Sequence, residues 1–188
     1  AIEYYAYGNS ALDIKDYLNA IENYTKAIEH NPEFADAFHN RGIAKEALRD
    51  YKGALKDYES ALSIDSNRAI SLLGIGVAKR NLKDFKGAIL SYDKAIEINP
   101  QSAIAYNNRG DAKEALKDYY GAIDDFNKAL EINPRNAISF YNRGIAKHQL
   151  ENFQGAIDDY TNAIKIDPKL AIAYNKRGQS KNDLGEYL

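Results

Sequence analysis

Arginine stands at positions 41, 109, 143 and 177, each time immediately before a glycine. Sixteen residues after the first three stand Asp57, Asp125 and Asp159. A guanidinium and a carboxylate at a fixed separation can form a bidentate ion pair that locks two segments together, because the planar fork of arginine matches the two carboxylate oxygens. The remaining copies of the pattern support that use. Where the arginine is replaced by Ile75 the acid becomes Ser91, and where it is replaced by Tyr7 the acid becomes Asn23, so the charges come and go together. The pattern predicts a pair within one local element, architectural rather than catalytic, with a small net stabilisation because desolvation opposes attraction. Lysine recurs four residues further on, at Lys45, Lys79, Lys113, Lys147 and Lys181. Its alkyl stem is expected to cover apolar surface while the ammonium reaches water.

Other reactive groups are sparse. The chain has no cysteine, which removes disulfides, thiolate nucleophiles and soft-metal sites, and its three histidines, His30, His39 and His148, share no spacing. Recurring surface carboxylates alone establish neither an acid/base pair nor a metal site. The expectation is therefore no catalysis, no cofactor and no metal. A formal charge of -2 gives no reason for general nucleic-acid affinity, and no polybasic run suggests a membrane anchor. No apolar stretch is long enough for direct membrane insertion. What remains is a folded chain, 45% hydrophobic and 28% charged.

The elements that place the arginines follow from a 34-residue period, which puts glycine at 8, 42, 76, 110, 144 and 178 without insertion or deletion. Such a period marks a solenoid of units that cannot bury their apolar faces alone. One repeat domain is expected over 1–188, with units 1–34, 35–68, 69–102, 103–136 and 137–170 and a partial unit or cap over 171–188. A cap would carry a polar outer face. In the fourth unit, Ala103, Tyr106, Gly110 and Ala112 to Leu116 lie at helical spacing, and a second helical run passes through Ala122, Phe126 and Ala129. Asp118, like Asp16, Asp50, Asp84 and Asn152, is placed to cap the second helix. Pro32, Pro100, Pro134 and Pro168 end the units, with Ser66 in the one exception. Gly110 is expected to let the helices approach closely beside Ala122 and Ala129, offsetting its roughly 1 kcal/mol helix penalty. The repeated aromatics among the 15 tyrosines are expected in the core, with Tyr5 and Tyr141 off that phase.

Gly110, Ala122 and Ala129, with Tyr106, Tyr119, Phe126 and Pro134, closely resemble the small and large positions of the tetratricopeptide repeat family, and the resemblance covers essentially the whole chain. It implies an all-α fold, a right-handed superhelical solenoid of antiparallel helix pairs, whose first helices line a concave ligand-binding surface. It also implies a protein-interaction scaffold. The family usually has leucine where Arg109 stands. By the family pattern, the groove positions expected to contact a peptide include Asn40, Ile43, Leu73, Val77, Ile104, Asn108, Asp111, Tyr141, Asn142 and Ile145. The isoleucines, Leu73 and Val77 would form an apolar floor and Gly74 would add space, although at least half of the isoleucines are expected to seal joints between repeats. Asn40, Asn108 and Asn142 resemble the family's asparagine ladder, whose amides grip an extended backbone.

The chaperone-binding carboxylate clamps of the family need cations that Tyr5, Asn9, Asn40, Ile70 and Gly74 do not supply, so acidic chaperone tails are an unsuited ligand. The inferred groove carries Asp13, Asp36, Glu46, Asp111, Glu114 and Asp183 against Arg80 and Lys176, which favours a neutral or basic peptide with apolar anchors. The alternative is a structural module, self-associating through an exposed terminal repeat or regulating an attached domain.

Overall fold

The computed structural model describes residues 1–185, and among them the regular structure is eleven α-helices forming two compact units. The first unit, Ala1–Pro100, holds three antiparallel hairpins: α1 (Ile2–Asp13) with α2 (Tyr17–His30), α3 (Ala35–Ala47) with α4 (Tyr51–Ile64), and α5 (Ala69–Asn81) with α6 (Phe85–Ile98). The second unit begins at Gln101 and holds α7 (Ala103–Ala115) with α8 (Tyr119–Ile132), α9 (Ala137–Gln149) with α10 (Phe153–Ile166), and α11 (Ala171–Leu184). The opening of a further helix expected after α11 falls on 186–188, outside the described residues.

Each hairpin turns by the same device. The carboxylate of Asp50 accepts a hydrogen bond from the Gly53 amide at 2.9 Å, and Asp84, Asp118 and Asn152 accept from Gly87, Gly121 and Gly155 at 2.9, 3.0 and 3.0 Å. A β-carbon on any of these four glycines would crowd the cap side chain, and in the first hairpin Asn19 takes this position with a longer bond to Asp16, 3.3 Å. The residue before each cap is left-handed without being glycine: Lys15, Arg49, Lys83, Lys117 and Glu151 have φ between 59 and 67°. Their amides close the preceding helix, as Lys117 does on the Glu114 carbonyl at 2.8 Å.

In each unit the core consists of aromatic rings set among alanines. Tyr24, Tyr58, Tyr92, Phe126 and Tyr160 are fully buried, each on a second helix. The internal glycine faces this ring. A β-carbon on Gly42 would come 2.7 Å from the Tyr58 ring and one on Gly110 would come 2.7 Å from Phe126. The glycine therefore makes room for an aromatic ring, not for backbone approach beside Ala122 and Ala129. Gly74 is likewise no open space, because a β-carbon there would lie 2.6 Å from Tyr58.

Candidate functional site

The repeated arginines lie where the period predicts a pair. Arg41 donates from Nε to Asp57 Oδ2 at 2.9 Å and from Nη2 to Oδ1 at 2.7 Å, and Arg143 holds Asp159 in the same way at 2.9 and 2.6 Å. Arg109 binds Asp125 through the same two nitrogens. The third guanidinium nitrogen reaches back to the preceding hairpin, Arg41 to Thr25 at 3.0 Å and Arg143 to Asn127 at 2.6 Å. Each of these guanidinium groups also sits over the ring three residues before it, 5.4 Å from Phe38 and 5.3 Å from Phe140. The arginine thus staples two hairpins while pairing within one.

The lysines differ from the sequence expectation. Lys45, Lys113 and Lys147 do not simply extend to water, because each ammonium lies 2.8 Å from the same buried carboxylate that the arginine grips. Two cations share one acid. Covariation hid this partner, since Lys79 persists where the acid has become Ser91.

The other candidate surface is the exposed face of the first helices. In the second unit Ile104, Ile138 and Ile172 occupy the same position on α7, α9 and α11 and are 64, 46 and 49% exposed. In the first unit Ile43 and Ile70 are exposed, while Leu73 and Val77 are half-buried beside them on α5. Each of these isoleucines keeps apolar surface open to solvent, most of all Ile70 and Ile104. Joints are sealed by polar contacts at the adjacent position: His39 Nδ1 lies 3.0 Å from Ser71 Oγ, and Ser139 Oγ donates to Asn107 Oδ1 at 2.9 Å. His39 is buried against Tyr58, with ring centroids 5.4 Å apart. Burial pushes its pKa down to about 4, Arg68 adds to the shift and Asp36 opposes it.

The asparagine ladder is partly spent inside the protein. Asn40 donates to Asn9 Oδ1 at 3.0 Å and to the Tyr5 hydroxyl at 3.1 Å, in the first unit. Asn142 donates to Asp111 Oδ1 at 2.7 Å, in the second. Asn108 is half-buried and makes no side-chain hydrogen bond among the described residues. Tyr141 is half-buried with its ring 5.8 Å from that of Tyr160, and Ile145 is half-buried one turn beyond it. Burial raises the Glu114 carboxyl pKa, with Lys176 opposing, and burial also raises that of Glu46, where Tyr58 and Arg80 oppose. No group of three or more histidine, aspartate or glutamate side chains among the described residues could hold a metal ion. None of the described helices is long and apolar enough to cross a membrane.

A stack of helix hairpins bearing an exposed, varied face on the first helix of each pair defines an α-helical repeat protein. Tetratricopeptide repeat models match residues 5–69, 103–136 and 137–170, a further repeat model of that family matches 78–117, and the chain belongs to the tetratricopeptide repeat family. Solved structures agree. YrrB, a TPR protein with an unusual peptide-binding site, is 25% identical with a TM-score of 0.77, covering 95% of this chain and 92% of its own. MamA is 20% identical with a TM-score of 0.79, covering 90% and 93%. A tetratricopeptide repeat protein from Parabacteroides merdae is 22% identical with a TM-score of 0.83, covering 98% and 73%. A search of curated protein sequences gave no match. Proteins of this family mediate protein–protein interactions on what is ordinarily a non-enzymatic scaffold.

Proposed function

We propose that the chain is a scaffold that binds a protein or peptide segment on the exposed face of its first helices. The observation that carries this reading is the run of exposed isoleucines on α7, α9 and α11. An apolar side chain repeated at one solvent-facing position is a surface suited to desolvating a partner's anchors. Asn108 and Tyr141 add a polar handle and an aromatic edge on the same unit. Leu73, Val77, Ile43 and Asn40 give the first unit a comparable face. The peptide-binding site of YrrB supports the reading at the level of the family. Asp111, Glu114 and Asp183 outnumber Lys176 on the second unit's face, so the preferred segment is neutral or basic with apolar anchors.

Peptide-array mapping after an unbiased pull-down tests this. A mapped peptide should bind Ile104→Asp and Ile138→Asp variants about tenfold or more weakly while their circular dichroism is unchanged. Unchanged binding in both variants would assign the peptide to a different surface.

A further inference from the structure

The hairpin of α5 and α6 departs from its neighbours at four positions that meet in space. The aromatic under the arginine, Phe38 in the preceding hairpin, is Leu72. The arginine itself is Ile75, and its acid is Ser91. The fourth change is Leu90, which is 64% exposed where the other hairpins carry Glu22, Lys56, Asp124 and Asp158. In the neighbouring hairpin the corresponding space is filled by the guanidinium of Arg41 reaching from Asp57 to Thr25. Here it is a cavity of about 280 Å³ between α4, α5 and α6, lined by Leu62, Leu72, Ile75 and Leu90 with Lys79, Lys94, Ser91 and Glu59 around them. A second hollow of about 360 Å³ shares Leu62, Leu72 and Lys94 with it and continues to Ser66, Glu97 and Ile98.

The charges at this cavity identify what would fill it. Lys45, Lys113 and Lys147 each hold a carboxylate at 2.8 Å, whereas Lys79, at the same position, has no acid partner among the described residues. Ser91 supplies no charge, and its hydroxyl is turned to the Gly87 carbonyl at 2.9 Å. Glu59 lies on the far wall, at the position from which Thr25 receives Arg41, and Glu97 lines the continuation, so two anions stand with Lys79 and Lys94 and it is Lys79 alone that has lost the acid its counterparts hold. The site therefore lacks one carboxylate beside Lys79 and one bulky apolar group over Leu72, Ile75 and Leu90.

We propose that this hollow is a second docking site, taking a polypeptide segment in which a large apolar side chain adjoins an aspartate or glutamate. The apolar side chain enters the space that arginine occupies in the neighbouring hairpin, and the carboxylate pairs with Lys79 as Asp57 pairs with Lys45. The continuation toward Ile98 accommodates further chain, which favours an extended segment over a small molecule. Leu72, Ile75 and Lys79 lie on the face of α5 opposite Ile70, Leu73 and Val77, by helical spacing. This site is therefore independent of the first-helix face, and it prefers an acidic motif where that face prefers a neutral or basic one.

A displayed library of random linear peptides, selected on the whole chain and depleted on an Ile75→Arg, Ser91→Asp variant, tests the proposal. That variant restores the arginine and the acid of the neighbouring hairpin and leaves the first-helix face intact. The expected result is enrichment of peptides with an acid beside a bulky apolar residue. A synthetic copy should bind the wild type on the order of tenfold or more tightly than the double variant, Lys79→Gln, or Leu90→Lys. Changing its acid to the amide should have the same effect, and Ile104→Asp should not matter. If the double variant does not fold, as judged by circular dichroism, Lys79→Gln and Leu90→Lys take its place in the depletion. Enrichment without an acid–apolar consensus, or binding indifferent to these variants, overturns the proposal. Loss of binding in Ile104→Asp alone would return the peptide to the first-helix face.

Discussion

The hairpins α3–α4 and α5–α6 lie side by side in one unit and share a backbone plan. Both start their second helix at an aspartate cap bonded to a glycine amide, both turn through a left-handed residue, and both set a tyrosine ring against an internal glycine. They differ in what fills the space under the first helix. One holds Arg41 and Lys45 on Asp57, and the other has Ile75 and Ser91 with an unpaired Lys79 and a cavity. The hairpin is thus specified by shape complementarity and caps, and the ion cluster is an insert that can be removed without changing the fold. Its removal exposes an apolar hollow and releases a cation.

The strongest test of that separation is to remove the acid from each hairpin. Asp57→Ala leaves Arg41 and Lys45, whose side chains are 14 and 21% exposed, facing each other without a counter-charge. The expected loss is about 3–5 kcal/mol in urea unfolding, the usual cost of breaking one partner of a buried pair. Ser91→Ala removes only a hydroxyl bonded to a helix carbonyl and should change stability by less than about 1 kcal/mol. Arg41→Leu should be milder than Asp57→Ala and should partly rescue it. A double-mutant cycle at Arg109 and Asp125 should show the same coupling in the second unit. Equal losses at Asp57 and Ser91, or additive changes in the cycle, would mean that the cluster carries no interaction of its own.

A smaller effect separates the two hairpins by pH. His39 closes the joint from α3 to α5, whereas the same position in the next hairpin is Leu73, which has no proton to take up. The folded state keeps His39 neutral down to about pH 4, while the unfolded chain protonates it near the ordinary 6.5. Between those values the unfolded state binds more protons. His39 therefore contributes fully above about 6.5, and stability falls as pH drops toward 4 and then levels, by about 3 kcal/mol. A His39→Asn variant, which copies Asn107 at the corresponding joint, should flatten this part of the pH profile. An identical slope in wild type and variant would remove His39 as the cause.

The sequence disclosed the parts of this comparison that repeat. A 34-residue period carried the helices, the caps and the arginine–aspartate pairs, because residues under one geometric constraint recur together. It hid what does not covary. Lys45 was obscured by Lys79, which keeps its place after losing its acid, and the role of Gly74 depends on the Tyr58 ring from another hairpin. The exposed isoleucines were ambiguous for a different reason: an apolar residue at a helical position reads alike whether it seals a joint or faces solvent. The left-handed turn residue was illegible, since Arg49 and Lys83 are not residue types that announce positive φ.

That turn supplies the smallest prediction and the one on which the hairpins should agree in sign. Arg49 and Lys83 have φ of 62 and 67° just before Asp50 and Asp84. A side chain in this conformation costs about 1–2 kcal/mol, which glycine avoids. Glycine in turn gives the unfolded chain more freedom to lose, roughly 0.5–1 kcal/mol. The difference predicts that Arg49→Gly and Lys83→Gly each stabilise the chain by about 0.5–1 kcal/mol, Lys83→Gly at the lower end because it also gives up the ammonium's contact with the Phe85 ring at 6.0 Å. Thermal unfolding of the two variants measures this. If Lys83→Gly stabilised and Arg49→Gly did not, the two turns would be strained to different degrees, and the claim that the hairpins share one backbone and differ only in their filling would fail.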